Sequence, residues 1–196
     1  MCRSHLERGT FNKKKSHMTY IITALKPEAQ AFVDYYKLKK SKLENYTLFE
    51  NQNIKLIIFG MGVENARLAT QTLINHFDIT DDDTYINAGI CAGSRSYEIG
   101  ELVECGGVGY QEIVYRFQDD LPLIVCVDEA QSEALYELAD MESYGFYDAV
   151  IHNPAIKKFH ILKVVSDHFE PKKVTKELAK SLLFAKMEAI KDIISN

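Results

Sequence analysis

The sequence predicts an α/β protein, a single three-layer domain with a central mixed, mostly parallel sheet flanked by helices. Short apolar runs rich in β-branched residues alternate with segments of helical periodicity, a pattern typical of parallel sheets covered by helices on both faces. The length of 196 residues fits one domain well and two domains poorly. With 46% hydrophobic residues, the chain can build a sizeable core.

The first half of the chain predicts two strand–helix units. The run TYIITAL (19–25) is short and apolar, and KPEAQAFVDYY (26–36) follows with helical spacing and with Pro27 at a plausible first helical position. NIKLIIFG (53–60) repeats the strand pattern and ends in glycine. Residues 63–77 then place their apolar side chains on one helical face, so each unit runs from a strand through a turn into a helix.

The second half continues the alternation. The segment 132–139 fits either period, a helix is expected to begin near Asp140, and the tail from Pro171 has the pattern of one amphipathic helix. Strand-like runs lie at 84–93, 100–105, 121–127 and 159–165.

The amino-terminal segment differs from the rest in charge. Residues 1–17 hold five Lys or Arg and one Glu, a net charge of +4, whereas the whole chain carries 23 − 28 = −5. This segment lacks both helical periodicity and the apolar centre of a signal peptide. We expect a disordered basic leader or a start assigned upstream of Met18, with the domain at 18–196. A nucleic-acid-binding arm is the alternative, although the acidic net charge argues against a nucleic-acid partner.

The cysteine and histidine spacings exclude several classes of protein. No CxxC pair is present, so we expect reduced thiols in a cytoplasmic protein. The histidines show no HxH or HxxxH spacing, which indicates no metal site. The apolar runs are far shorter than a membrane span, so no membrane partner is expected.

The ends of the predicted strands hold the candidate functional residues, because open α/β sheets bind ligands beyond the carboxyl ends of their strands. Glu28 follows the first strand, in the first turn of a helix. A carboxylate there either interacts with the helix dipole or serves as a general base. The glycine-rich turns at 60–62 and 87–94 match neither a phosphate-binding Walker loop nor a dinucleotide fingerprint, and no cofactor is indicated.

Two further acids stand at such ends. Glu142 heads a helical face that carries Phe146 and Ala149. It is therefore either a first-turn acid on an exposed end or a buried group with a partner such as a ribose diol. Asp167 follows Ser166 at the end of the last strand, where the two residues can cap the next segment or supply an acid that protonates a leaving group.

Five ordered motifs run through the chain from about Tyr20 to Pro171: IITALKPEA, LIIFGMGVENA, INAGICAGSRSYEIGELVE, DMESYGFY and ILKVVSDH. Together they resemble the nucleoside phosphorylase/nucleosidase superfamily. The nearest branches are the methylthioadenosine/S-adenosylhomocysteine nucleosidases and a shorter nucleoside phosphorylase-like subfamily.

The resemblance implies a catalytic role for three residues. Glu28 falls on the family's water-activating glutamate, and Asp167, supported by Ser166, on the aspartate that donates a proton to purine N7. The implied reaction is hydrolysis of the N-glycosidic bond of a purine nucleoside, without a cofactor or metal, by a homodimer or higher homo-oligomer. Phosphorolysis, or nucleoside binding by a degenerate site, is the alternative.

The resemblance also implies the substrate contacts. Met141 and Glu142 fall on the pair that holds the ribose. Lys163 stands where the nucleosidases commonly have arginine, and the segment 106–139 is shorter than usual. Phosphorylases carry an arginine near the first turn, whereas here Arg95 and Lys163 are the obvious candidates for binding phosphate. The loop that lines the base corresponds to Ile90, Cys91 and Ala92.

Overall fold

A computed structural model describes residues 17–195 of the chain. The predicted leader therefore lies outside the described residues except for His17. Within the described part, no helix combines the length and the apolar character that crossing a membrane requires.

Eleven strands and five α-helices follow one another in the described residues. The helices are α1 (Lys26–Tyr36), α2 (Val63–His76), α3 (Ser143–Ile151), α4 (Lys176–Ala185) and α5 (Met187–Ser195), with a 3₁₀ turn at Pro171–Lys173. The strands are β1 (Thr19–Thr23), β2 (Lys39–Leu43), β3 (Tyr46–Glu50), β4 (Ile54–Ile58), β5 (Thr84–Gly93), β6 (Leu102–Cys105), β7 (Gly107–Tyr110), β8 (Ile113–Arg116), β9 (Leu123–Cys126), β10 (Leu138–Asp140) and β11 (Lys158–Asp167).

The strands form one mixed sheet. Its order is β2-β3-β4-β1-β5-β10-β9-β7-β8, and β11 pairs with both β5 and β6. Parallel pairing joins β4, β1, β5 and β11 in the centre, while the hairpins β2–β3 and β7–β8 are antiparallel. The expected α/β class with a central mixed sheet is thus confirmed.

Helices cover both faces of the sheet and complete three layers. Ile22 on β1 packs in one apolar cluster with Leu73 of α2 and Phe146 of α3. Its neighbour Ile21 points to the other face and packs in a second cluster with Phe32 of α1. Side chains that alternate along β1 therefore contribute to two apolar cores, as expected for a sheet that is buried on both faces.

Several elements differ from the sequence prediction. The hairpin β2–β3 was not predicted, because its first strand reads KKSKL and buries only Leu43, so it lacks an apolar pattern. The hairpin β7–β8 was missed as well, since the residues of β8 are mostly exposed. The tail forms two helices rather than one, with the break at Lys186. The ambiguous segment 132–139 contributes only the start of the short strand β10.

A change of neighbour along β5 opens the sheet near its centre. β1 pairs with residues 84–87 of β5, whereas β10 pairs with Ala92 and Gly93 on the same strand. Residues 88–91 of β5 thus pair with neither β1 nor β10 and lie between the two. The candidate site occupies this gap.

Candidate active site

A cavity of about 290 Å³ lies at the carboxyl ends of the central strands. It brings together eight of the nine residues singled out as site residues in the sequence: Glu28, Ile90, Cys91, Ala92, Met141, Glu142, Ser166 and Asp167. The ninth, Lys163, does not line the cavity, and its ammonium lies 2.7 Å from Asp140 Oδ2.

The cavity also contains residues that the sequence analysis did not single out. Asp140, near which the sequence predicts the start of a helix, also lines the wall. Val127 directly follows β9, so the strand-end rule used for the other residues would have found it. No pattern signals Ala130, Gln131 and Val174, which lie in loops, or Pro171, which begins the 3₁₀ turn. The other lining residues are Ala24, Leu25, Met61 and Ala139.

The carboxylate of Glu28 is held by two backbone amides. Glu28 is the third residue of α1 and its Oε2 accepts a hydrogen bond of 2.8 Å from the N–H of Leu25, which satisfies a donor at the helix start. Its Oε1 accepts a bond of 3.0 Å from the N–H of Ile90, in the part of β5 that β1 no longer pairs. The gap in the sheet thus supplies the donor that fixes this side chain.

Burial governs the charge of Glu28. Only 3% of the residue is exposed, and this desolvation raises the pKa of the carboxyl above its usual range. The positive charge of Lys163 and the two backbone hydrogen bonds act in the opposite direction. A carboxyl with a raised pKa is suited to accept a proton near neutral pH.

Glu142 is buried at the start of α3 and is not an exposed first-turn acid. Its Oε1 accepts a hydrogen bond of 3.2 Å from the N–H of Gly62, and its Oε2 one of 3.3 Å from the N–H of Met141. Burial, reinforced by the negative charge of Asp140, raises the pKa of Glu142 to about 7, against the opposing charge of Lys163.

Ser166 and Asp167 lie at the end of β11, where the register with β5 shifts between Val165 and Asp167. Asp167 Oδ1 accepts a bond of 2.7 Å from the N–H of Glu170, so this carboxylate does stabilise the following turn. The Ser166 hydroxyl lies 2.8 Å from Asp167 Oδ2 and 3.0 Å from the carbonyl oxygen of Cys91. The hydroxyl carries a single proton, so it donates to one of these two oxygens at a time.

The charged groups of the cavity wall are all acidic. Glu28, Asp140, Glu142 and Asp167 line it, and no Lys, Arg or His belongs to the lining formed by residues 17–195. Arg95, one of the two expected phosphate candidates, is therefore outside the wall. Within the same described range, no three His, Cys, Asp or Glu side chains are grouped so that they could hold a metal ion.

A larger cavity, of about 370 Å³, lies at the opposite edge of the sheet. Its lining includes the first residues of β1, β4, β5 and β11, that is Thr19, Ile54, Thr84 and Lys158. This is the amino-terminal edge, where sheets of this class do not usually bind their ligands. The acid-lined cavity is therefore the better candidate for an active site.

Comparison with known proteins supports the fold assignment. No protein-family model matches the sequence, and no curated protein matches it either. Solved structures do match over almost the whole chain, and their identities of 11–18% establish the fold alone. The chain has the nucleoside phosphorylase/nucleosidase fold, which confirms at this level the resemblance drawn from the five motifs.

Three of these structures show how extensive the similarity is. 5′-Methylthioadenosine nucleosidase of Arabidopsis thaliana has a TM-score of 0.75 at 17% identity, covering 91% of this chain and 96% of the other. 5′-Methylthioadenosine/S-adenosylhomocysteine nucleosidase of Helicobacter pylori gives 0.77 at 11%, with 93% and 99% covered. Futalosine hydrolase of Helicobacter pylori gives 0.74 at 11%, with 91% and 97% covered.

Proposed function

We propose that this protein hydrolyses the N-glycosidic bond of a purine nucleoside of the methylthioadenosine/S-adenosylhomocysteine type, releasing the free base and a ribose derivative. One observation carries the proposal: Glu28, Glu142 and Asp167 line a single cavity to which the described residues contribute no cationic side chain. The three carboxyls can serve the three needs of this reaction, which are activation of water, protonation of the departing base and binding of the ribose. A cavity wall whose described residues carry no cation disfavours phosphate, an anion, as a co-substrate.

The chemistry assigns each carboxyl a place. Cleavage of the bond develops positive charge on the sugar and negative charge on the departing base. Asp167 protonates the base, and the Ser166 hydroxyl, within 2.8 Å of Oδ2, keeps that acid oriented. Glu28 takes a proton from the attacking water, for which its raised pKa is suited.

The remaining contacts orient the substrate. Glu142 accepts hydrogen bonds from the ribose hydroxyls while Met141 packs beside the sugar. Ile90, Cys91 and Ala92 form the apolar wall along the base. Fixing the substrate in this way lowers the entropic part of the barrier.

For Lys163 the geometry favours a role different from the predicted substrate contact. Its ammonium is engaged with Asp140 behind the cavity wall, with 2% of the side chain exposed. Lysine lacks the fork with which arginine binds an anion at two points. We therefore assign Lys163 to the support of the site.

Cellular location and assembly belong to the same proposal. Cys91, Cys105 and Cys126 are free, buried thiols, which suits a reducing compartment such as the cytoplasm. Strand β8 ends the sheet and exposes Ile113 and Val114, each 56% exposed, an apolar edge suited to a second copy of the chain in a homo-oligomer.

The test is a panel of nucleosides incubated with and without phosphate, read by chromatography of the released base. We expect adenine from 5′-methylthioadenosine in phosphate-free buffer, with 5-methylthioribose as the second product. Release only when phosphate is present would instead identify a phosphorylase. Thermal stabilisation by a nucleoside without release of any base would identify a binding protein, and either result would overturn the proposal.

A further inference from the structure

An ion pair is buried at the wall of the candidate site, where Asp140 lines the cavity and Lys163 does not. Lys163 Nζ lies 2.7 Å from Asp140 Oδ2, and the two side chains are 2% and 1% exposed. Asp140 is fixed in addition by the N–H of Ser143 at 3.0 Å and by its hydroxyl at 2.6 Å. Desolvation of two charges often costs as much as their attraction returns, so such a pair is weak evidence for a purely stabilising role.

The position of the pair relates it to the two glutamates. Lys163 lies on β11 in register with Gly89, the residue over which the Glu28 carboxylate is placed. Asp140 ends β10, and Glu142 follows two residues later, directly before α3. One ammonium thus faces three carboxylates from β10, α1 and the turn before α3, and it forms its short contact with only one of them.

The other titratable groups packed around the pair are thiols. Cys91 on β5 and Cys105 on β6 face Lys163, while Cys126 on β9 faces Asp140. Burial raises the pKa of all three thiols, that of Cys105 to about 12, so they stay neutral near pH 7. The charge balance of this region therefore depends on Lys163 and the carboxylates.

We propose that Asp140 and Lys163 form a positioning pair in which Asp140 holds the ammonium behind the cavity wall and thereby determines how strongly Lys163 keeps Glu28 and Glu142 ionised. The catalytic meaning of the pair rests on the proposed nucleosidase function. Neither residue needs to touch the substrate for this role, since both act through the field at the two glutamates.

The pair predicts opposite effects for its two members. Removing the cation by Lys163→Met leaves the carboxylates without a counter-charge, which favours protonated Glu28 and Glu142. Removing the anion by Asp140→Asn takes away a negative charge beside Glu142 and leaves the charge of Lys163 uncompensated, which favours the ionised forms of the glutamates. A nearby charge of this kind shifts a titration midpoint by about 1–3 pH units.

The experiment is an NMR titration of full-length protein labelled with ¹³C at the glutamate carboxyls, with Glu28→Gln and Glu142→Gln used for assignment. We expect higher midpoints for Glu28 and Glu142 in Lys163→Met and a lower midpoint for Glu142 in Asp140→Asn. The double variant carries neither charge. Because Asp140 acts on Glu142 more strongly than Lys163 does, the Glu142 midpoint of the double variant should lie between those of Asp140→Asn and wild type.

Two outcomes would overturn the pair. If the midpoints in either single variant are unchanged from wild type, the Asp140–Lys163 pair has a structural role only. A double variant that titrates like Lys163→Met would show that Asp140 contributes nothing, and this comparison decides even where Asp140→Asn alone fails to fold.

Activity provides a second, separate readout. The acid limb of kcat/KM for 5′-methylthioadenosine should move in the same direction as the midpoints, and an acid limb that stays in place would contradict a role in catalysis. If wild type releases no base from any nucleoside, the proposed function fails, while the titration still decides whether the pair controls the two glutamates.

Discussion

The carboxylate of Glu28 lies so close over Gly89 that a Cβ atom at residue 89 would be 2.7 Å from Glu28 Oε1. This distance is shorter than van der Waals contact, so any side chain at residue 89 would displace the carboxylate from the N–H of Ile90. Glycine is required at this position for the close approach and not for an unusual backbone angle.

Gly89→Ala is therefore expected to lower turnover of the proposed substrate by about 100-fold, because a misplacement on the order of 1 Å can cost that much. The measurement is kcat/KM for 5′-methylthioadenosine, with circular dichroism to verify folding. Gly109→Ala is the matched control, since a Cβ there would meet Val125 Cγ2 at an ordinary 3.4 Å. Full turnover by Gly89→Ala would contradict the importance of the Glu28 position.

Glu28→Gln separates the chemistry of this residue from its structural contacts. The amide oxygen of glutamine can still accept the N–H of Ile90, so the fold should persist. Loss of a general base typically costs about 10²–10⁴-fold in rate. Base release measured by chromatography should fall by that factor. The melting temperature should fall modestly, because the side-chain NH2 of glutamine faces the N–H of Leu25 and leaves that donor unpaired.

A control for this substitution is available on α2. Glu64→Gln changes an exposed glutamate that pairs with Arg67 at the surface, and it should leave both turnover and folding close to wild type. Equal activity of Glu28→Gln and Glu64→Gln would remove Glu28 from the mechanism.

The sequence predicted the part of the site that follows from local rules. Strand ends placed Glu28 and Asp167 at the carboxyl edge of the sheet, and the apolar face that Glu142 heads made a buried acid one of two alternatives for this residue. The contacts that complete the site are long-range: β11 brings Lys163 to Asp140, and the gap in β5 offers the N–H of Ile90 to Glu28. The hydrophobic periodicity of the sequence does not indicate such contacts, because they depend on strand order and register.

The same reasoning explains the elements that were missed. Strand β2 contains Lys39, Lys40 and Lys42 and buries almost nothing, so neither apolar alternation nor a turn signal distinguishes it from a loop. The break between α4 and α5 at Lys186 likewise lacks proline or glycine. Both features are set by the surfaces against which the segments pack.

The raised pKa of Glu142 predicts a measurable pH dependence of the free energy of unfolding. Its pKa rises from 4.5 to about 7 on burial, so the folded state binds this proton more tightly than the unfolded state. Between these two pH values the folded state holds more protons, and the free energy of unfolding therefore falls as the pH rises through the window. The contribution of this one group is on the order of 3 kcal/mol.

Urea unfolding of wild type and Glu142→Gln at a series of pH values tests this sign. The stability of wild type relative to the variant should be greatest below pH 4.5, should decline steadily between pH 4.5 and about 7, and should level off above that range. Parallel curves for the two proteins would show that Glu142 does not hold its proton more tightly in the folded state.

Asp167→Asn distinguishes a proton donor from a turn-forming residue. Asparagine Oδ1 can still accept the N–H of Glu170, which Asp167 now accepts at 2.7 Å, so the turn after β11 should persist. The amide has no proton to give to a departing base, and the loss of a general acid costs about 10²–10⁴-fold. This loss should appear with 5′-methylthioadenosine, whose adenine leaves poorly as an anion.

A riboside with a nitrophenolate leaving group needs no such proton and provides the internal comparison. Asp167→Asn should cleave it at nearly the rate at which wild type does, whereas Glu28→Gln should be slow with both substrates because water activation is still required. The readouts are nitrophenolate absorbance and adenine chromatography. If Asp167 only stabilises the turn, its replacement would slow both substrates by the same factor, and the assignment of the proton to this residue would be wrong.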